Sequence, residues 1–119
     1  MKRRIAAVLV AAALAVLALS ALAQAATPRL AGVTGPGFSI DVTKAGKGVK
    51  TLRRGTYKIK VADKSSSHNF HLFGPGLNKK TGVSFTGTTT WTIKLKKGKY
   101  TYQCDPHAAS GMKGSFRVT

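Results

Sequence analysis

The 119-residue chain lacks glutamate altogether and has a single cysteine, Cys104. One cysteine cannot form a disulfide within the chain, so a small scaffold held together by disulfides is excluded. In an oxidising compartment a lone thiol is a liability unless it is buried or bound to a metal. The few other residues that bind transition metals are three histidines and, apart from Met1, one methionine, Met112.

Acidic residues are so scarce that the charge of the chain is strongly one-sided. Lys and Arg number 20 against three Asp, which gives a formal charge of +17. Three of these cations fall in residues 1–25, so the remaining 17 cations and three aspartates carry a formal charge of +14. Such a surface attracts acidic proteins, anionic wall polymers, anionic membrane surfaces or nucleic acid. The simplest interpretation is a solvated basic face with non-specific adhesion.

Residues 1–25 have the pattern of a secretory signal peptide. Three cations follow Met1, an apolar run covers residues 5–19, and Ala23-Gln24-Ala25 forms a small-x-small cleavage site. The apolar run is shorter than the about 20 residues that a bilayer-spanning helix needs. We therefore predict export to the periplasm or the extracellular space. Retention of this segment as an anchor is the alternative. Residues 26–119 are predicted to form a single domain.

The rest of the chain alternates apolar and polar residues with the period of β-strands. Glycine and proline separate the runs, and no helical period is present. Lys97-Gly98 is predicted to form a hairpin turn, and Phe38 to point inward from its strand. Short strands divided by turns predict an all-β fold, an antiparallel Greek-key β-sandwich of about seven to eight strands. The alternating runs are 38–43, 57–62, 91–96, 100–104 and 116–118.

A thiol, an imidazole and a thioether lie within nine residues near the C-terminus, at Cys104, His107 and Met112. Soft sulfur ligands combined with imidazole favour copper, and two histidines, one cysteine and a weak axial methionine form the blue-copper electron-transfer site. Because Cys104 is in phase with two tyrosines of the preceding strand, it is predicted to face the core at the end of that strand. One further histidine is needed.

That histidine is either His68 or His71, which lie on opposite faces of a predicted strand. If Phe70 and Leu72 face the core, His68 points toward Cys104 and His71 points outward. The opposite phase, with Phe73 and His71 inward, stays open, because aromatic residues occupy both faces. We favour His68.

The motif Cys104-x-x-His107-x-x-x-x-Met112, after an aromatic-rich strand, resembles the C-terminal ligand loop of plastocyanin-like cupredoxins. His68-Asn69 is similar to the family's first ligand histidine and the asparagine that braces the loop. The resemblance implies that His68, Cys104, His107 and Met112 bind one copper ion that cycles between Cu(II) and Cu(I). It also implies that one ring edge of His107 lies near solvent.

These features predict an exported type 1 (blue) copper protein that carries single electrons between redox partners, some of which are acidic. The alternative is a periplasmic or extracellular copper-binding protein for storage or delivery without a redox cycle. Three histidines cannot supply a second metal centre, so no enzymatic activity and no catalytic residue are predicted. We expect a monomer without dedicated nucleic acid binding, because aromatic residues fall mainly on core-facing positions and leave no platform for stacking bases.

Overall fold

The computed structural model describes residues 26–119, which are built mainly from β-strands. The predicted signal peptide, residues 1–25, lies outside this described part. Within residues 26–119, no helix has the length and apolar character needed to cross a membrane. One short 3-10 helix, Asp105–Ser110, interrupts the strands.

Ten strands follow one another in residues 26–119. They are β1 (Arg29–Thr34), β2 (Ile40–Lys44), β3 (Lys47–Gly48), β4 (Thr51–Leu52), β5 (Gly55–Asp63), β6 (His71–Gly74), β7 (Leu77–Lys80), β8 (Gly87–Leu95), β9 (Gly98–Gln103) and β10 (Lys113–Val118). The three strands β3, β4 and β7 are short edge strands, which accounts for the excess over the seven to eight that alternation predicts.

The strands form two five-stranded sheets. The first has the order β3-β2-β1-β5-β8 and the second the order β4-β10-β9-β6-β7. Most neighbours are antiparallel, but β1 runs parallel to β5 and β4 runs parallel to β10. The predicted β-sandwich is confirmed, with two mixed sheets in place of the purely antiparallel arrangement that we expected.

The core lies between the inner faces of the sheets. Strand β5 shows the alternation most clearly, because Tyr57, Ile59 and Val61 are buried while Lys58 and Lys60 are exposed. Aromatic rings of the second sheet fill much of the remaining space. Tyr100 and Phe116 stack with their centroids 5.6 Å apart, and Phe70 and Tyr102 stack at 6.3 Å. Such offset ring pairs contribute packing energy beyond the area they bury.

Two details of the strand prediction are wrong. Phe38 is not an inward member of a strand, since β2 begins at Ile40 and the Phe38 side chain is 74% exposed. Lys97-Gly98 does not close a hairpin between paired strands, because β8 belongs to the first sheet and β9 to the second. The chain crosses between sheets there, so that Leu95 and Tyr100 both reach the common core from opposite sides.

The ends of several strands meet at one pole of the sandwich. Strands β1 and β5 run parallel and end at Thr34 and Asp63, which are register partners. The segment that carries His68 follows β5, and the segment that carries His107 connects β9 to β10. This pole therefore receives loops from both sheets.

Candidate metal centre

Three predicted metal ligands converge at this pole. The Cys104 sulfur lies 3.6 Å from His68 Nδ1 and 3.3 Å from His107 Nδ1, and the two Nδ1 atoms are 3.0 Å apart. Cys104 is fully buried, His68 is 3% exposed and His107 is partly exposed. Among the described residues, they form the one group of histidine, cysteine or acidic side chains placed to hold a metal ion.

The spacing of these three atoms suits a transition metal. A triangle with sides of 3.0, 3.3 and 3.6 Å has a centre roughly 2 Å from every corner, which is about the length of bonds from a metal ion to histidine nitrogen and cysteine sulfur. Two imidazoles and one thiolate in a trigonal set are the donors of a blue-copper centre. The residues present therefore fit the copper ion that the family resemblance implies.

Backbone hydrogen bonds hold the segment that carries Cys104, His107 and Met112. The His107 amide donates to the Cys104 carbonyl (3.1 Å), the Met112 amide donates to the His107 carbonyl (3.2 Å), and the Cys104 amide donates to the Met112 carbonyl (3.0 Å). The three residues are thus linked to one another in a closed ring. Met112 itself is 4% exposed, so its side chain is buried at the same pole.

The turn inside this ring depends on local sequence. The 3-10 helix begins after Cys104, with Pro106 in its first turn, where the missing amide hydrogen of proline costs nothing. It ends at Gly111, whose φ of 93° lies in the left-handed region that glycine adopts without strain. The turn brings Met112 back alongside Cys104.

Asn69 joins the two segments that supply the metal-binding residues. Its Oδ1 accepts a hydrogen bond from the Asp105 amide (2.7 Å), while its Nδ2 donates to the Asp105 carboxylate (3.0 Å) and to the Thr81 carbonyl (3.2 Å). The bracing role predicted for Asn69 is confirmed by these contacts. Because Asn69 follows His68 and Asp105 follows Cys104, this side chain fixes the distance between the two donors.

A second anchor holds the His68 segment to the end of β5. The Thr81 hydroxyl donates to the Asp63 carboxylate (3.3 Å) and accepts from the Phe70 amide (2.8 Å), and Asp63 also accepts from the Ser65 amide (3.2 Å). Burial raises the pKa of Asp63, while these hydrogen bonds and the nearby His68 act in the opposite direction. The anchor keeps His68 directed inward.

His71 lies outside the donor cluster, in agreement with the outward phase that we favoured. Its Nδ1 donates to the Asp105 carboxylate (2.8 Å), and its Nε2 lies 2.6 Å from Asn78 Oδ1. Burial opposes ionisation of Asp105, but hydrogen bonds from Gln103, Asn69 and His71 outweigh it and lower the pKa of Asp105 to about 2. His71 therefore steadies the residue next to Cys104.

Phe38 and Asp105 are the residues of the site that sequence reasoning missed. The Phe38 ring packs edge-on against His107 and His68, with centroid distances of 4.8 Å and 5.5 Å. The signal that could have located it is Gly35-Pro36-Gly37, a turn sequence directly before it that ends the strand alternation. Asp105 could have been found from its position beside the cysteine.

Comparison with known proteins agrees with this geometry. Residues 37–119 match the family described as copper binding proteins, plastocyanin/azurin family. A stretch of 38 residues is 50% identical to plastocyanin from Daucus carota, and covers 32% of this chain and 34% of that protein. The chain thus spans about a third of this relative.

Two solved structures extend the likeness to the whole fold. Rusticyanin from Thiobacillus ferrooxidans is 25% identical with a TM-score of 0.55, over 81% of this chain and 79% of that one. Reduced auracyanin from Roseiflexus castenholzii is 19% identical with a TM-score of 0.56, over 80% of this chain and 99% of that one. The family match covers most of the sequence and contains the three converging donors, and we conclude that the chain belongs to the plastocyanin/azurin family of copper-binding proteins, with copper as its cofactor.

Proposed function

We propose that this protein is an exported type 1 copper protein that carries single electrons between redox partners, with His68, Cys104, His107 and Met112 as the copper ligands. The observation that carries the proposal is the triangle formed by the Cys104 sulfur and the two Nδ1 atoms. When bound, copper supplies a one-electron couple between Cu(II) and Cu(I).

The residues around the site provide donors that suit both oxidation states of copper and limit the access of water. Cys104 binds as a thiolate, because metal coordination removes the thiol proton. His68 and Cys104 are buried, so water is kept from two of the donors. Met112 would supply a weak thioether donor, which suits both oxidation states of copper.

The surroundings hold these donors in place before the metal binds. The backbone ring that links Cys104, His107 and Met112 and the clamp formed by Asn69 both restrict movement of the donors. Such outer contacts orient metal ligands and tune the properties of the site. A rigid site needs little rearrangement during electron transfer, which favours a carrier.

His107 is the donor from which electrons can leave the molecule. It is partly exposed, whereas His68 and Cys104 are buried, and the exposed Phe38 ring packs beside it. We propose that the redox partners dock at this pole, that some of them are acidic, and that the protein acts as a monomer in the periplasm or the extracellular space. No catalytic residue is assigned.

One absorption experiment tests this function. The protein loaded with Cu(II) is expected to show an intense thiolate-to-copper band in the red part of the visible spectrum, and ascorbate should bleach it reversibly. Cys104→Ser should lose the band, while Ser110→Ala, on the exposed surface of the same turn, should keep it. A colourless copper complex would favour storage or delivery, and a failure to take up copper would overturn the assignment of the site.

A further inference from the structure

The outer face of the first sheet carries four cations that have no aspartate partner within residues 26–119. Arg29 on β1 is the register partner of Lys58 on β5, and Lys60 follows two positions along β5. Lys94 on β8 is paired with Thr56 and so lies on the same face. All four cationic side chains are exposed.

A groove of about 230 Å³ runs between Arg29, Lys58 and Lys60, whereas Lys94 lies outside its lining. Its lining includes Arg29, Lys58 and Lys60 together with the hydroxyl-bearing Thr43 and Thr90, and it contains no acidic side chain. The arginine can form two parallel hydrogen bonds to a phosphate group, and the lysines act as point charges. The chemistry of the lining is therefore that of a phosphate-binding surface.

No aspartate of residues 26–119 is bound to a cation of the groove. Asp63 is buried and hydrogen-bonded, Asp105 is bound by His71, Gln103 and Asn69, and Asp41 accepts a hydrogen bond from the Val42 amide. In residues 26–119 the single ion pair with an aspartate joins His71 and Asp105, so no lysine or arginine there has an aspartate partner within 4.0 Å. The cations of the groove therefore have no aspartate partner within the described residues.

The spacing of the cations favours a flexible chain over a flat surface. Alternate residues of a strand are about 6.6 Å apart and neighbouring strands about 4.8 Å apart, so Arg29, Lys58 and Lys60 present charges at intervals that a polymer with repeated phosphates can follow. No aromatic side chain lines the groove, so it offers no platform for stacking nucleic acid bases.

We propose that this groove binds a flexible, base-free polymer that carries repeated phosphate groups. The groove lies away from the metal centre. Strands β1 and β5 reach the pole at Thr34 and Asp63, whereas Arg29 and Lys58 lie five residues earlier on these strands. Five residues of strand span about 16 Å. A molecule held on this face keeps His107 and Phe38 uncovered. The proposal is independent of the redox function.

The test is binding of long-chain inorganic polyphosphate to the folded protein at several salt concentrations. The variant R29T/K58T/K60T removes the groove cations. The matched control R117T/K79T/K99T removes one arginine and two lysines from exposed positions of the second sheet. Thermal melting establishes that both variants are folded.

The groove variant is expected to bind polyphosphate at least about tenfold more weakly, and the slope of log affinity against log salt should fall by about two, since each lost phosphate contact removes about 0.7. The control should stay within about threefold of the parent protein. Equal losses in both variants would mean that net charge alone binds the polymer, and would overturn the proposal.

Two further probes separate other anionic partners. Single-stranded DNA with the same number of phosphates should bind no more tightly than polyphosphate. Tighter binding of DNA that is lost in R29T/K58T/K60T would indicate a nucleic acid surface instead. Loss of binding to phosphatidylglycerol vesicles in that variant, with polyphosphate binding unchanged, would indicate a membrane surface. Either result would overturn the proposal.

Discussion

At the scale of single residues, two histidines three positions apart have very different surroundings. His68 is buried with Nδ1 aimed at the Cys104 sulfur, whereas His71 contacts Asp105 and Asn78 outside the donor cluster. The prediction that one strand carries both histidines is wrong, because β6 begins at His71 and His68 lies in the segment before it. Phe70 and Leu72 are fully buried, as predicted, and His68 is buried while His71 is partly exposed.

The two histidines should therefore respond differently to substitution. His68→Ala is expected to abolish the thiolate-to-copper absorption band, because it removes one of three converging donors. His71→Ala should keep the band and lower the free energy of unfolding by about 1 kcal/mol, because it removes contacts to Asp105 and Asn78. Absorption spectra and denaturant titrations measure both effects. Loss of the band in His71→Ala alone would contradict the assignment.

Asp105 should make the metal-free protein sensitive to acid. Its pKa in the folded state is about 2, against an ordinary value of 3.8. A lowered pKa means that the ionised carboxylate stabilises the fold above about pH 4, and that this stabilisation is lost as the pH falls toward 2. Asp63 has a raised pKa, so its own protonation favours the folded state as the pH falls.

We expect Asp105→Asn to lower the free energy of unfolding by about 1 to 2 kcal/mol at pH 6, after allowance for partial exposure of the side chain. At pH 2 the difference from the parent should nearly vanish. The contribution of Asp63 is common to both proteins and cancels. Urea titrations at the two pH values measure the difference, with Asp41→Asn as the control. A difference that persists at pH 2 would rule out ionisation as its cause.

At the scale of secondary structure, close packing between β9 and β10 depends on a glycine. Gly114 is the register partner of Tyr102, and a Cβ at this position would overlap the Tyr102 ring. Tyr102 is 7% exposed and packs against Phe70 and Phe116, so the ring has little freedom to move.

Gly114→Ala should consequently destabilise the protein by about 2 kcal/mol, the usual cost of overfilling a packed region. Gly48→Ala is the matched control, since a Cβ on that strand residue meets nothing within 4 Å, and its effect should stay below about 0.5 kcal/mol. Thermal or denaturant unfolding measures both. Equal stability of the two variants would show that the Tyr102 ring moves aside easily.

Alternation of apolar and polar residues predicted the long strands and the inward direction of Cys104, because the side-chain period of a strand is two. It could not predict the sheet to which each strand belongs. Leu95 and Tyr100 are both buried, and burial alone does not distinguish a hairpin from a crossing between sheets. For the same reason the parallel pairing of β1 with β5 was not foreseen.

The parts of the site that could be predicted are those whose residues lie close together in the sequence. The nine residues from Cys104 to Met112 place their donors in one loop, and Asn69 is adjacent to His68. Contacts between distant segments were not predictable in this way. Phe38 reaches His107 across the pole, and His71 on β6 reaches Asp105 at the start of the 3-10 helix. The position of Met112 as an axial ligand stays a prediction.

At the scale of the whole molecule, charge is the dominant feature. Seventeen cations and three aspartates lie in residues 26–119, and within that part no lysine or arginine is paired with an aspartate. Mutual repulsion of uncompensated charges destabilises a compact state. The fold is held by its core in opposition to this repulsion.

Added salt should therefore stabilise the protein. Raising sodium chloride from about 10 mM to about 150 mM shortens the Debye length from about 30 Å to about 8 Å. We expect the melting temperature to rise by about 5 °C, which corresponds to about 1 kcal/mol for a chain of this size. Thermal denaturation monitored by circular dichroism gives the shift. R117T/K79T/K99T should show a smaller rise, and a fall with salt would contradict this account.

The complete burial of Cys104 has a practical consequence. Because it is the one cysteine of the chain and none of its surface is exposed, an alkylating reagent can modify the metal-free protein only when the pole opens. The rate of labelling by iodoacetamide thus reports how often the loop between β9 and β10 separates from the segment that carries His68. The increase in mass by one label, followed over time, then measures the rate of local opening.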